Sequence, residues 1–365
     1  MRILAGVSRE GAPAPVLEEL ELSEPRAGEV LVRIMATGIC HTDLRAHGGQ
    51  NLPTPRPVVL GHEGAGIVEK VGEGVRHVKP GDHVALSGSS CGVCPSCLQS
   101  YPSYCREFMM RCFGGRRSDG STALSRDGEA IHSHFFGQSS FATWAVADAS
   151  GAVPIPKDVP FEVAAPLGCG VITGAGAIFY SFGLRPGQSI AIFGAGGVGL
   201  SAVMAAKLSG ARHIVAVDPQ ADRRALALEL GATLALDPDD GDVAEAILGA
   251  IPSGVDFTLN TTTAAPVYDA AIRVLAMRGT AGFVSVPSQP WTPQMFTLHG
   301  KGMRGILGGD ANPQVAIPMM LDYWRQGRFP IDRLVTPFAF EAIGEAFAAC
   351  GHGGIIKPVL KMESA

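Results

Sequence analysis

Residues 193–200 read "FGAGGVGL". Gly194, Gly196 and Gly199 stand in GxGxxG spacing, with Gly197 and Val198 inside the turn. A chain with 47 glycines produces such triplets by chance, so the flanks decide the reading. The apolar run "SIAIF" leads in, "GVGLSAVMAAKLSG" follows at helical texture, and "HIVAVD" ends on Asp218, nineteen positions past Gly199. Strand, glycine turn, helix, strand and acid is the order of a dinucleotide-binding βαβ unit. The glycines give a tight turn and let the backbone approach a pyrophosphate at the helix N-terminus. Asp218 would accept hydrogen bonds from an adenosine ribose, and its charge would repel a 2′-phosphate, so NAD is expected rather than NADP. The competing reading is a plain βα turn with a solvated aspartate, and the full context argues against it.

Outward from this turn the alternation continues. "ADRRALALELG", "TLALDP", "DVAEAILGAI", "VDFTLN", "APVYDAAIRVLAMRG" and "TAGFVSV" repeat the strand–helix period, which predicts a parallel sheet covered by helices on both faces. The first half of the chain has another texture. "RILAGV", "EVLVRIMATGI", "GAGIVEKVG", "DHVALSG" and "FATWAVAD" are short apolar or alternating runs punctuated by Gly/Pro turns, which predicts an irregular β-rich domain. The last part, with "NPQVAIPMMLDYWRQG", "AIGEAFAAC" and "GIIKPVLKM", offers two helices and a strand expected to complete that first domain.

The 365 residues suffice for two domains, and 46% hydrophobic content supports a large core. A net charge of −5 with no block of Lys and Arg argues against a nucleic-acid surface. The N-terminal apolar run is too short for a signal peptide, and a cytoplasmic location is expected. Residues 163–184 carry no charge. Their five glycines and Pro166, and the soluble motif that follows, favour a buried helix over a membrane span.

Of eight cysteines, Cys91, Cys94, Cys97 and Cys105 fall within fifteen residues, as "CGVCPSCLQSYPSYC". Two CxxC steps and a fourth thiol predict a closed tetrahedral site, with structural zinc the natural occupant and an iron–sulfur cluster the competitor. Cys112 breaks the spacing and reads as a packed or loop thiol. Outside this cluster, Cys40 in "GICHTD", His62 in "GHEG" and Cys169 in "PLGCG" are candidate ligands of an open, catalytic zinc. Spacing alone makes each a weak candidate, and for a lone histidine packing is the ordinary explanation.

Together, "GICHTD", "GHEGAG", "VKPGDHV", the cysteine cluster, "GQSSFATWAV", "PLGCGVITGAGA", "FGAGGVGLSAVMAAK" and "GIIKPVL" resemble, in order and over nearly the whole chain, the zinc-dependent medium-chain alcohol dehydrogenase family. "RRSDGSTAL", "HFFGQSSF" and "GRFPIDRLV" are similar to its aryl-alcohol (benzyl-alcohol) dehydrogenase branch. The resemblance implies an α/β protein with a GroES-like catalytic domain over 1–170 and 311–365, and a Rossmann doubly wound parallel-sheet domain over 171–310. It implies Cys40, His62 and Cys169 as catalytic zinc ligands, Glu63 as a nearby carboxylate able to ligate, and Cys91, Cys94, Cys97 and Cys105 on a structural zinc. Asp43 would orient the ligand histidine, and Thr42 would bond the substrate oxygen. His41 and Lys357 would face cofactor phosphates. Thr173, Val198 and Val284 would pack the nicotinamide end, and Arg223 would contact the ribose or adenine side. The activity implied is hydride transfer between a primary aromatic or allylic alcohol and NAD, in a homodimer or homotetramer with two zinc ions per chain.

Ser87, Phe135 or Phe136, Met109 or Met110, Leu307 and Val286 are the implied pocket walls. The sequence departs from the family pattern twice. Arg45 stands where many members carry a relay histidine, and arginine cannot act as a base. Ser285 occupies a turn that often carries glycine. Competing readings are a terpenoid or aliphatic alcohol dehydrogenase, a glutathione-dependent formaldehyde dehydrogenase, and a non-catalytic NAD-binding protein.

Overall fold

The computed structural model describes residues 1–49 and 52–362. The chain divides into two compact units, one of Met1–Cys169, Asn312–Met320 and Ile331–Ala365, the other of Gly170–Ala311 and Leu321–Pro330. The stretch 321–330, expected with the β-rich domain, thus packs with the second unit.

The second unit is built on a six-stranded parallel sheet. Its order is Leu234–Leu236, His213–Val217, Ser189–Phe193, Val255–Asn260, Leu275–Phe283, Gly302–Gly305. In sequence order these are strands 3-2-1-4-5-6, the doubly wound arrangement the alternation predicted. Ser189–Phe193 is buried along its whole length because it lies inside the sheet under helices. Helix Gly197–Leu208 follows directly and buries most of its residues. The glycines of the turn act sterically. Gly194 has φ 92°, and a Cβ on Gly199 would lie 1.8 Å from the Gly194 carbonyl oxygen. Only glycine lets the helix approach the strand end this closely.

The first unit carries two sheets. A five-stranded antiparallel sheet runs Val58–Val59, Arg2–Ser8, Val16–Leu22, Leu124–Arg126, Glu129–Ile131. In Val16–Leu22, "VLEELEL", the buried and exposed sides alternate, so one face meets the core and the other water. The larger sheet runs Ala152–Ile155, His83–Leu86, Glu63–Val71, Glu29–Gly38, Lys357–Lys361, Val335–Ala339, and Trp144–Asp148 also pairs with Glu29–Gly38. The returning C-terminal strand pairs Val359 with Gly38. Residues 163–184 break at Cys169, with a turn of helix ending at Gly168 and another beginning at Gly170. Among the described residues no single helix is long and apolar enough to cross a membrane.

A buried ionic cluster ties these sheets. Glu29 accepts from Arg117 Nε at 2.6 Å and Nη2 at 3.0 Å, from the Arg26 amide at 2.8 Å and from His134 Nε2 at 3.2 Å. Burial pushes its carboxyl up, but the bonds from His134, Arg117 and the amide outweigh burial and hold it at about 2. A carboxyl lowered on folding stabilises above its ordinary pKa of 4.5 and loses that contribution as the pH falls from there toward 2. Glu29→Gln is expected to cost about 3 kcal/mol at neutral pH. Urea unfolding of both proteins should show the gap closing with acidification. A gap equal at pH 7 and at the acid end would contradict this account.

Candidate active site and metal centres

The stretch "GICHTDLRA" supplies one edge of the site. Glu29–Gly38 ends there, Cys40 sits at the N-cap of helix His41–His47, and Asp43 is its third helical residue. Asp43 reaches back to accept from the Cys40 amide at 3.0 Å, as in a capping box. Its other oxygen accepts from the Gly61 amide at 3.1 Å and from His62 Nδ1 at 2.8 Å. Asp43 and His62 are both fully buried. Burial pulls the His62 imidazole down, but the Asp43 carboxylate and the Cys40 sulfur push it up to about 10.

With Nδ1 committed to Asp43, His62 Nε2 is buried and makes no hydrogen bond. A buried polar atom without a partner marks something missing from the protein's own atoms. The Cys40, Glu63 and Cys169 ligand atoms lie with it within 4.8 Å of one another. Two thiols, an imidazole nitrogen and a carboxylate suit zinc. The sulfurs of Cys40 and Cys169 share a hydrogen bond that lowers the first thiol and raises the second. Thr42 Oγ1 lies 3.9 Å from Cys40 Sγ.

Glu63 opens strand Glu63–Val71 and is fully buried. Lys357, expected at cofactor phosphates, makes its contacts here with Glu63 and the backbone: its Nζ lies 2.9 Å from both Glu63 oxygens and 3.3 Å from the Ile39 carbonyl. Burial pushes the Glu63 carboxyl above its ordinary range, with the Lys357 charge opposing it. Burial also opposes the Lys357 ammonium, but the Glu63 and Cys40 charges keep it above its ordinary range. Gly38 is the register partner of Glu63, and a Cβ there would lie 2.1 Å from Glu63 Oε2. The carboxylate occupies the space a side chain would need. His47 is also accounted for. Its ring nitrogens meet the Ser8 hydroxyl and the Ala12 carbonyl, which makes it a packing residue.

The four cysteines form a second cluster, with all sulfurs within 4.8 Å of one another. Helix Pro95–Leu98 and the turn Pro102–Tyr104 bring them together. Backbone amides point at the sulfurs: Cys94 N to Cys91 at 3.3 Å, Cys91 N to Cys105 at 3.3 Å, Arg106 N to Cys94 at 3.5 Å. The amides of Arg106 and Cys97 bring the Cys94 thiol down to about 6. Amides aimed at sulfur favour thiolates, the form that binds metal. Cys112 lies outside the cluster, fully buried.

In the second unit, the strand ends at Phe193, Val217, Asn260 and Phe283 gather the expected dinucleotide residues. Asp218 is buried, accepting from the Ala195 amide at 2.7 Å and the Gln220 amide at 2.9 Å, with Arg223 at 3.8 Å. It is thus bonded to the middle residue of the Gly194–Gly196 turn. Thr173 and Val198 are half-buried on helices Gly170–Gly176 and Gly197–Leu208. The Val284 amide donates to the Asn260 carbonyl at 3.2 Å. Ser285, the unexplained departure, donates to the Thr262 carbonyl, and Tyr268 bonds its carbonyl at 3.0 Å. A glycine could not make the hydroxyl contact.

The expected pocket walls differ in burial. Phe135 is fully buried in the core, edge-on to His62 at 5.7 Å. Half-buried Phe136 instead stacks on the His62 ring at 4.5 Å and 27°. Ser87 is buried and donates to the Gly168 carbonyl at 2.7 Å. Val286, 67% exposed, lies on the surface of the second unit, and Met109, Met110 and Leu307 are exposed as well. His41 is exposed and Arg45 half-buried on the same helix.

Residues 26–157 match the family described as alcohol dehydrogenase GroES-like domain, and 197–322 match zinc-binding dehydrogenase. The chain belongs to the zinc-dependent medium-chain alcohol dehydrogenase family. Within it, the chain is 48% identical over 362 residues to a geraniol dehydrogenase of Castellaniella defragrans, covering 98% of this chain and 96% of that protein. Two solved structures superpose over nearly all of both chains. One is an alcohol dehydrogenase zinc-binding domain protein from Burkholderia ambifaria, at TM-score 0.96 and 45% identity over 100% of each chain. The other is benzyl alcohol dehydrogenase from Acinetobacter calcoaceticus, at TM-score 0.95 and 39% identity over 99% of each chain.

Proposed function

We propose that this zinc-type alcohol dehydrogenase uses NAD to oxidise primary alcohols whose carbinol carbon adjoins an sp² carbon, allylic or benzylic. The observation that carries the metal chemistry is the unpartnered His62 Nε2 beside the Cys40 and Cys169 sulfurs and the Glu63 carboxylate. Zinc held by Cys40, His62 and Cys169 would supply a Lewis acid that polarises a substrate oxygen and lowers an alcohol pKa. Asp43 fixes the His62 tautomer and aims Nε2. Lys357 neutralises Glu63, so any approach of that carboxylate to the metal must first break the ion pair. Thr42 Oγ1, beside Cys40, would accept the hydrogen bond of the substrate hydroxyl and release its own proton as it takes the substrate's. Arg45 cannot pass that proton on as a base, so it would leave to solvent.

The helix N-terminus at Gly197 would hold the pyrophosphate, and Asp218 would accept from the ribose hydroxyls and disfavour a 2′-phosphate. The four-cysteine cluster would hold the second zinc. The substrate class is supported by the names of the two characterised relatives, since geraniol and benzyl alcohol share the unsaturated carbinol neighbour. The Phe136 ring above His62 offers such a substrate a flat apolar surface.

The test is NAD reduction with geraniol, perillyl, cinnamyl, benzyl and saturated straight-chain alcohols, compared by kcat/KM. The unsaturated alcohols are expected to lead by at least tenfold, about 1.4 kcal/mol of differential binding in the transition state. Ethanol or hexanol matching them would sink the proposal, and faster turnover with NADP would sink its cofactor half.

A further inference from the structure

The motif "HFFGQSSF", residues 134–141, has so far explained only a resemblance. Its backbone is unusual. φ is positive at His134 (63°), Phe136 (53°), Gly137 (71°) and Ser139 (54°). For a bulky residue such as Phe136 this conformation is disfavoured, and it persists only where the surroundings impose it. The surroundings here are dense. Glu29 holds His134 Nε2 at 3.2 Å, Ser139 Oγ accepts from the Phe135 amide at 3.0 Å, and the amides of Ser140 and Phe141 donate to the carbonyls of Gly61 and Leu60 at 3.0 Å each.

What the loop delivers is aimed at one residue. Phe136 lies over the His62 ring and Phe135 meets its edge. Gln138, 1% exposed, takes hold of the backbone on both sides of Glu63. Its Oε1 accepts from the Gly64 amide at 3.0 Å, while Nε2 donates to the His62 carbonyl at 3.0 Å and the Ser87 carbonyl at 3.3 Å. The bonding pattern admits one amide orientation, because the reverse would set NH₂ against N–H and oxygen against two carbonyls. Asp43 therefore controls one atom of the His62 ring, and the loop controls the ring face and the main chain that carries it.

We propose that Gln138 is a positioning residue that, through the backbone of His62–Gly64, sets the direction of His62 Nε2 and the place of Glu63. This rests on the reading of His62 as a zinc ligand. Gln138→Met keeps the volume and removes all three bonds. Gln138→Glu keeps the shape and the acceptor for Gly64 but turns an oxygen toward two carbonyls.

Zinc release to a chromophoric chelator should resolve two zinc ions in the wild-type protein. In Gln138→Met the His62-site zinc is expected to leave about 10–100-fold faster, with the four-cysteine zinc unaffected. kcat should fall by a similar factor at unchanged KM, and cobalt substituted at the site should show an altered visible spectrum. Gln138→Glu should lie between Met and wild type in release rate. Wild-type release and spectrum in both variants would overturn the proposal, and so would equal acceleration of both zinc ions with a lowered Tm, which signals general loosening. If His62→Ala leaves the zinc content unchanged, the metal reading fails and takes this inference with it.

Discussion

Replacing Lys357 with methionine is expected to lower folding stability by about 3–5 kcal/mol, because it strands a buried carboxylate. Glu63 is fully buried, and both its oxygens lie 2.9 Å from Lys357 Nζ. Methionine matches the lysine stem in volume, so the loss is electrostatic and not a cavity. Urea unfolding of the purified protein measures it. The double variant Lys357→Met with Glu63→Gln removes both charges and should regain most of the loss, since an uncharged pair needs no counter-ion. The family resemblance alone gives a different outcome for the same variant: unchanged stability and weaker NAD binding. A normal urea midpoint with a raised Kd for NAD would restore Lys357 to the phosphates.

Cys97→Ser is expected to remove the zinc proposed for the four-cysteine cluster and to open the lobe over residues 91–105 to proteases, while the rest of the chain stays folded. Sites of this kind contribute on the order of 10 kcal/mol of metal-binding free energy at neutral pH in isolated peptides, and folding of the loop is part of that figure. The lobe over residues 91–105 has little else to hold it. Val93 and Leu98 are 75% and 73% exposed, and helix Pro95–Leu98 buries no residue. Metal analysis together with limited trypsin digestion reads both effects. Full zinc content, or resistance equal to wild type, would remove the structural role of this cluster.

The doubly wound sheet was legible because its signals are local. Each strand and helix between Ser189 and Phe283 declares itself within about a dozen residues, whereas the edge strand Gly302–Gly305 carries no such signal. The four cysteines are local as well. The β-rich unit showed only texture, because its pairings are distant: Lys357–Lys361 adds to Glu29–Gly38 from the other end of the chain.

The same distance hid the ion pair of Lys357 with Glu63, which the motif "GIIKPVL" could not reveal. Phe135 and Phe136 are chemically identical neighbours, and only the left-handed backbone at 134–139 sends one into the core and the other onto His62. No periodicity encodes that turn. Gln138 lay in a quoted motif, yet its work is done across a fold contact 76 positions away in sequence. Val286 follows a strand end, where position along the chain says nothing of exposure.

Gly38 and Glu63 face each other across two strands, and the carboxylate fills the volume that a side chain at 38 would take. In evolutionary terms the two positions form a single unit of inheritance. An alanine at 38 would push the Glu63 carboxylate from its place beside Lys357, a strain that lifts once the acid shortens or leaves. Across descendants of this chain the pair should therefore change in a fixed order, acid first and glycine second, or not at all.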